Sequence, residues 1–150
     1  MHRPFDTPDP VALYVELGGG SLTVEATDTA ETEVDVTGPR EDEFTVEGQL
    51  LTDVGGTIPV KVLSTPGMIG MMERTAAMLA LEQLPEGQAT VGFEVCIKHV
   101  AGAFEGARCV ARATVREIAD ERKWRFDVEV TEGDRTLGVG THERRIVQRA

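Results

Sequence analysis

Residues 63–82 constrain the fold most, because they read as a single helix that is apolar almost all round. Thr65 is its predicted N-cap, and Pro66 suits the first helical position, where a missing N–H costs nothing. Pro85 marks its end. A helix of this kind is buried inside a protein rather than laid on its surface. Glu73 lies at the edge of the main apolar face, so its carboxylate must be paired, protonated or used in chemistry.

Composition narrows the class of protein. A chain of 150 residues suggests one domain, or one domain with an appendage, and the net charge of −11 argues against a nucleic-acid partner. No run of 18 apolar residues occurs, so no membrane span is predicted, and the N-terminus does not read as a signal peptide. Cys96 and Cys109 lack metal-ligand spacing. We therefore expect free thiols, no metal or cofactor, and a cytoplasmic protein.

The charge is unevenly spread along the chain. Residues 1–42 carry ten acidic residues against two arginines, a net charge of −8, whereas residues 43–150 carry sixteen acidic against thirteen basic residues, a net charge of −3. Residues 38–42 form a turn-like break between the two parts. The sequence therefore predicts an acidic N-terminal β-extension over 1–42 and a main domain over 43–150.

The N-terminal extension is expected to hold three short strands at 11–17, 21–26 and 32–37, separated by turn residues. A unit this small can hardly bury a core alone, so it should pack on the main domain or on another chain. Residues 5–24 resemble the opening of bacterial adhesin-type β-solenoid domains, and this resemblance covers the first forty residues.

The main domain has a clearer plan. A strand at 43–49 and a loop at 52–60 precede the helix, and four strands follow it, the last at about 137–147. In the three middle strands apolar and polar residues alternate, which is typical of an antiparallel sheet with one face on a core and one in water. The predicted inward residues are Val91, Phe93, Val95, Ile97 and His99, then Cys109, Ala111, Ala113 and Val115, then Trp124, Phe126, Val128 and Val130. A hairpin turn is expected at Gly133 and Asp134.

One strand, one apolar helix and four long strands describe a sheet curled round a helix. This α+β arrangement resembles the hotdog fold, and the small residues Ala111 and Ala113 would leave room for the helix. The outer faces are charged, so stacking two sheets back to back would bury several arginines and lysines. We expect a homodimer formed edge to edge instead.

The candidates for chemistry lie around the helix. His99 is expected to point at the helix and Glu73 to project from it, so that a carboxylate and an imidazole converge as an acid/base pair. Thr65 lies at the helix start, where free N–H groups and the helix dipole favour developing negative charge. Gly92 would let a substrate approach the strand backbone closely.

Three phrases, at 62–73, 91–99 and 140–144, resemble hotdog thioesterases of the fluoroacetyl-CoA thioesterase family, in the same order along the chain. The resemblance covers residues 43–148 and implies hydrolysis of an acyl-CoA thioester to the free acid and CoA. It implies that Thr65, Glu73 and His99 are catalytic and that Gly92 lies in the acyl pocket. Pro66, Gly92 and Arg144 are the substrate-binding residues that we predict.

The loop at 52–60 departs from that family, which carries a longer segment with aromatic residues as a lid over the pocket. Here the loop is short and has no aromatic residue. We therefore expect an open pocket for a short or medium acyl chain rather than selectivity for a fluorinated one.

Other interpretations stay open at this point. The chain could be a non-catalytic module that binds acyl thioesters or supports an assembly, and a hotdog dehydratase is a third reading, although no histidine lies on the helix. Thr65 could be only a helix cap, and His142 could simply pack at a strand end. Arg144 could meet the CoA phosphates together with Arg145 and Lys123, or belong to a solvated basic face.

Overall fold

The computed structural model describes residues 2–6, 21–24, 31–119 and 122–149. The elements that it contains are, in chain order, β1 (His2–Asp6), β2 (Ser21–Val24), β3 (Glu31–Thr37), β4 (Arg40–Thr45), a short 3-10 turn (Gly48–Leu50), β5 (Leu51–Thr52), β6 (Val62–Leu63), α1 (Thr65–Leu81), β7 (Gln88–His99), β8 (Arg108–Ala119), β9 (Lys123–Glu132) and β10 (Arg135–Gln148).

Five strands build one antiparallel sheet in the order β4-β8-β9-β10-β7, and α1 packs against all five of them. The predicted sheet wrapped round a single helix is confirmed. Its edges are β4 and β7. The hairpin between β9 and β10 turns at Gly133, whose φ of 56° lies in the left-handed region that glycine tolerates.

The core lies between the inner face of the sheet and one side of α1. The residues predicted to face inward on β8 and β9 are all buried, and Ala111 and Ala113 are completely so. Met68, Met72 and Ala76 fill the space that these small side chains leave. Alternation therefore placed the inward faces of these two strands correctly, because each is regular along its buried part.

The helix itself is not buried all round. Thr65, Pro66, Gly70 and Arg74 are exposed, and the buried residues form one face that includes Met71 and Thr75. The helix is thus buried along one face only, although it is apolar almost all round, because the sheet wraps only one side of α1.

Strand β7 also departs from its predicted alternation. In the pairing with β10, Glu94 lies opposite Glu143 and Gly92 lies opposite Arg144, so Phe93 is an extra residue in a β-bulge. The bulge turns Phe93 and Val91 outward, and their side chains are 64% and 48% exposed. The inward placement predicted for these two residues was therefore wrong, because one extra residue inverts the order of faces beyond it.

The first strand of the main sheet lies earlier than predicted. Strand β4 pairs with β8 from Arg40 to Thr45, where the sequence pattern indicated a strand at 43–49. A 3-10 turn begins at Gly48, whose φ of 55° ends any extended run. The predicted loop at 52–60 is present, between β5 and β6.

The N-terminal strands form a separate three-stranded antiparallel sheet in the order β1-β3-β2. The strands predicted at 21–26 and 32–37 are present as β2 and β3. The strand predicted at 11–17 lies outside the described residues, and β1 was not predicted. The division of the chain at residue 42 remains a prediction.

Within the described ranges, no helix has both the length and the apolar character needed to cross a membrane.

Candidate active site

The start of α1 presents one free hydroxyl and one that is used as a cap. Ser64 is the N-cap, and its Oγ accepts a hydrogen bond of 2.9 Å from the Gly67 N–H. The prediction that Thr65 caps the helix was wrong, because the residue before it takes that position and has the extended backbone that a cap requires. Thr65 is therefore the first helical residue, and Pro66 is the second.

Released from capping, the Thr65 hydroxyl lies 2.9 Å from Nδ1 of His99, the last residue of β7. The other ring nitrogen of His99, Nε2, is buried and has no hydrogen-bond partner among the described residues. Two of the three predicted catalytic residues thus form a hydroxyl–imidazole pair at the N-terminal end of the helix.

Glu73 lies two helical turns further along α1, about 12 Å from Thr65 along the axis. Its carboxylate Oε1 is 3.7 Å from Nε2 of His142 and 3.8 Å from Nη1 of Arg144. The predicted pairing of Glu73 with His99 is wrong. His99 on β7 lies beside Thr65 at the start of the helix, whereas β10 places His142 and Arg144 beside Glu73. The carboxylate is 43% exposed, so a substrate can reach it.

Arg144 is buried beside Glu73, so the alternative that it belongs to a solvated basic face is wrong. Its Nε donates to Oγ1 of Thr90 at 2.8 Å, and its Nη2 donates to the Thr90 carbonyl at 2.9 Å. Its Nη1 lies 2.9 Å from Nε2 of His142 and 3.4 Å from the Glu73 carbonyl. Burial lowers the pKa of this guanidinium, and the Glu73 charge opposes that effect.

His142 is the residue that the sequence interpretation undervalued. It is buried on the inner face of β10, with Nδ1 2.9 Å from the carbonyl oxygen of Glu94. Burial lowers the pKa of the imidazole and the positive charge of Arg144 adds to this, against the Glu94 hydrogen bond and the Glu73 charge. The signal was present in the alternation of β10, which puts His142 and Arg144 on one face.

Gly92 faces the same cluster because of the bulge at Phe93. A methyl group at Gly92 would overlap the Glu73 carboxylate and lie 3.3 Å from Cε1 of His142. The absence of a side chain here keeps the space in front of Glu73 open.

The site thus has two parts along one side of α1. The Thr65–His99 pair and the exposed Pro66 lie at its N-terminal end, and Glu73, Gly92, Arg144 and His142 lie deeper. Proton transfer at one part and a fixed positive charge beside a reachable carboxylate at the other are suited to acyl transfer.

The N–H groups of the first turn offer little of the predicted oxyanion binding. The Gly67 N–H is already bonded to Ser64, and Pro66 has none to offer. The Thr65 hydroxyl is the group of this turn that contacts His99.

Comparison with known proteins gives a family and a fold. A sequence model of fluoroacetyl-CoA-specific thioesterases matches residues 46–150. The fluoroacetyl-CoA thioesterase of Streptantibioticus cattleyicolor is 30% identical over 88 residues, which are 58% of this chain and 62% of that protein. The match therefore spans less than two thirds of the length of this curated relative.

Solved structures agree on the architecture. A structure of the fluoroacetyl-CoA thioesterase is similar with a TM-score of 0.67 at 23% identity, covering 75% of this chain and 87% of that one. A thioesterase superfamily member from Thermus thermophilus has a TM-score of 0.66 at 26% identity, with coverages of 75% and 82%. A hot-dog-like protein from Thermanaerovibrio acidaminovorans has a TM-score of 0.67 at 19% identity, with the same coverages. The predicted hotdog fold is confirmed.

Proposed function

The chain belongs to the family of fluoroacetyl-CoA-specific thioesterases, and from this premise we propose that it hydrolyses an acyl-CoA thioester to the free acid and CoA. The observation that carries the proposal is the pairing of Thr65 with His99 at the same side of α1 as the reachable carboxylate of Glu73. A hydroxyl, an imidazole and a carboxylate supply the proton transfers that thioester hydrolysis needs.

In the proposed reaction, Glu73 removes a proton from water as the water oxygen adds to the thioester carbonyl carbon. The carbon–sulfur bond then breaks, and the CoA thiolate takes up the proton that Glu73 removed from water. In a variant of this mechanism, a nucleophile of the enzyme takes the place of water in the first addition. The acyl group is then bound covalently to that nucleophile, and water releases it by hydrolysis. Thr65 positions the reacting group, and its hydrogen bond sets the orientation of the His99 ring.

The role that we propose for Arg144 is not contact with the CoA phosphates. Its guanidinium is buried beside Glu73 and Gly92, so we propose that it faces the acyl part of the substrate. A fixed positive charge at this depth favours the negative charge that develops on the carbonyl oxygen or on a polar acyl substituent.

The acyl group is proposed to be short or medium in length. The loop between β5 and β6 carries Val54 at a φ of 53° and is exposed along most of its length, with no aromatic side chain to close the pocket. Fluoroacetyl-CoA, the substrate in the name of the relative from Streptantibioticus cattleyicolor, is not part of the proposal.

A homodimer is proposed from the edge strand β7. Along it, Val91 and Phe93 are exposed apolar residues, and one side of a twelve-residue strand is unpaired within the described sheet. A long apolar edge is an aggregation hazard unless another strand covers it. Pairing β7 of one protomer with β7 of its partner would join two sheets edge to edge, beside Gly92 and Glu73.

A cytoplasmic setting fits this function. Acyl-CoA is an intracellular substrate, and both Cys96 and Cys109 are free thiols, which persist in a reducing compartment.

The test is release of CoA thiol from a panel of acyl-CoAs, from acetyl to long-chain, by the full chain and by its Glu73→Gln variant. We expect turnover of short or medium esters to fall about 100-fold or more in the variant. Glu86→Gln, a change of an exposed glutamate beyond the helix, is the matched control and should keep full activity. Binding of CoA esters by a folded protein that releases no thiol from any of them would replace the enzyme with a binding module.

A further inference from the structure

His142 is a buried titratable group that the proposed reaction does not use. It is 1% exposed, it lies opposite Val95 on β7 and Phe126 on β9, and both of its ring nitrogens have partners. A histidine kept for packing alone could be an aromatic or aliphatic residue without this polar cost.

We propose that His142 is a positioning residue that holds the Arg144 guanidinium against Glu73, and that it does so as the neutral tautomer protonated at Nδ1. The inference rests on the proposed function of Glu73, to which it adds the group that sets the surroundings of the carboxylate.

The tautomer follows from the partners. A carbonyl oxygen only accepts, so the nitrogen facing Glu94 O must carry the proton, and this nitrogen is Nδ1. A guanidinium only donates, so Nε2, facing Nη1 of Arg144, must offer its lone pair. Both bonds are satisfied at once by a neutral ring with its proton on Nδ1, and by no other protonation state.

The same bond completes the restraint of Arg144. Thr90 holds the Nε and Nη2 side of the guanidinium, and His142 holds Nη1, which also lies within reach of the Glu73 carbonyl and carboxylate. One Nη1 hydrogen is directed to His142, which leaves the other for the Glu73 side. Loss of the acceptor at His142 would free this end of the guanidinium beside the reacting groups.

Neutrality of the ring is essential to this role. A second proton, added at Nε2, would point at the Nη1 hydrogens and place a second buried positive charge beside Arg144. The charged groups facing the ring are Glu73 from α1 and Arg144 from its own strand, while β7 and β9 present Val95, the Glu94 carbonyl and Phe126. Burial and Arg144 together lower the pKa of His142, which agrees with a neutral ring.

The first test reads the tautomer directly, with nitrogen NMR of the ¹⁵N-labelled full chain at pH 7. The chain has three histidines, so the His142→Gln variant assigns the signals. We expect a neutral His142 ring with the proton on Nδ1. A ring protonated on Nε2 alone, or a charged ring, would overturn the inference whether or not the protein is a thioesterase.

The second test compares two substitutions at this position by their turnover. His142→Gln keeps an acceptor near the position of Nε2, and His142→Phe keeps the ring volume without an acceptor. We expect kcat to fall about tenfold or more in the phenylalanine variant with KM little changed, since small displacements of a reacting group are costly. The glutamine variant should recover most of the loss.

A purely structural role predicts the opposite order, because phenylalanine fills the buried space better than glutamine. Wild-type kcat in a folded His142→Phe protein would overturn the positioning role. If that variant does not fold, the tautomer measurement on the unmodified protein decides. The expected tautomer in a protein that hydrolyses no ester would sink the proposed function alone.

Discussion

The Thr65 hydroxyl bonds to Nδ1 of His99 across 2.9 Å, and it is free to do so because Ser64 caps the helix in its place. Two neighbouring hydroxyls therefore have separate duties, one for stability and one for the site. This separation can be measured.

Ser64→Ala should lower the free energy of unfolding by about 1 kcal/mol, the usual cost of a lost cap, while the folded protein keeps its turnover. Thr65→Ala should leave stability nearly unchanged, because Thr65 is exposed and alanine is a good helix former, and should lower kcat roughly tenfold or more. Urea unfolding and thiol release measure the two effects. Thr65→Ser, which keeps the hydroxyl, is the control, and equal activity loss in Ser64→Ala and Thr65→Ala would contradict the assignment.

Gly92→Ala should reduce turnover, because the added methyl group would occupy the position of the Glu73 carboxylate and displace it. We expect kcat to fall about tenfold or more, since the carboxylate must move away from the added methyl group and small displacements of a reacting group are costly. Gly38→Ala is the matched control, because a methyl group there meets nothing within 4 Å and its φ is not in the left-handed region. Unchanged kinetics in a folded Gly92→Ala protein would show that this glycine does not border the carboxylate in solution.

The stability of the protein should fall as the pH drops below about 6.5, the ordinary pKa of histidine. Burial lowers the pKa of His142 in the folded protein, so below pH 6.5 the unfolded chain binds a proton that the native state does not. The free energy of unfolding therefore decreases as the pH falls. The loss continues until the pH reaches the lowered folded value. Urea unfolding between pH 5.5 and 7.5 measures it, and His142→Gln should flatten the curve.

Acid denaturation through a carboxyl group such as that of Asp42 occurs at lower pH than the loss of stability expected from His142. A hydrogen bond from Arg40 lowers the pKa of the Asp42 carboxyl, so its contribution is present above about pH 4 and is lost only below it. The same slope in His142→Gln and in the unmodified protein between pH 5.5 and 6.5 would assign the loss to another group.

Val91→Lys should weaken self-association, because it places a charge on the exposed edge of β7, and charged edges resist strand pairing. Light scattering across a dilution series should show monomers at concentrations where the unmodified protein is dimeric. Ile118→Lys is the control, since Ile118 is 44% exposed, close to the 48% of Val91, but lies on β8, away from the β7 edge. Equal association in all three proteins would exclude β7 as the contact.

The elements of this fold were largely predictable from the sequence, since they depend on local patterns. Pro66 and Pro85 bracket the helix, and alternation on β8 and β9 identifies their buried faces, because both signals act over a few residues. Adjacent residues that are equally good caps defeat such reasoning, and Ser64 and Thr65 are such a pair.

The partners within the site were harder to predict, because they depend on the register between distant strands. Glu73 contacts Arg144 and His142 from β10 instead of His99. The sequence around these residues does not show which strand residue lies beside which turn of the helix. The family resemblance singled out Thr65, Glu73 and His99 as candidates but did not indicate their grouping into a hydroxyl–imidazole pair and a separate carboxylate cluster.

The bulge at Phe93 makes the number of residues between two positions informative. His99 and Gly92 are seven residues apart, an odd separation that would put them on opposite faces of a regular strand, yet both face α1. In a related chain whose corresponding histidine and glycine both face the helix, an odd difference between their residue numbers requires an extra residue in the strand, and an even difference requires none. The residue numbers of these two positions alone then tell whether the strand carries a bulge, before any side chain is compared.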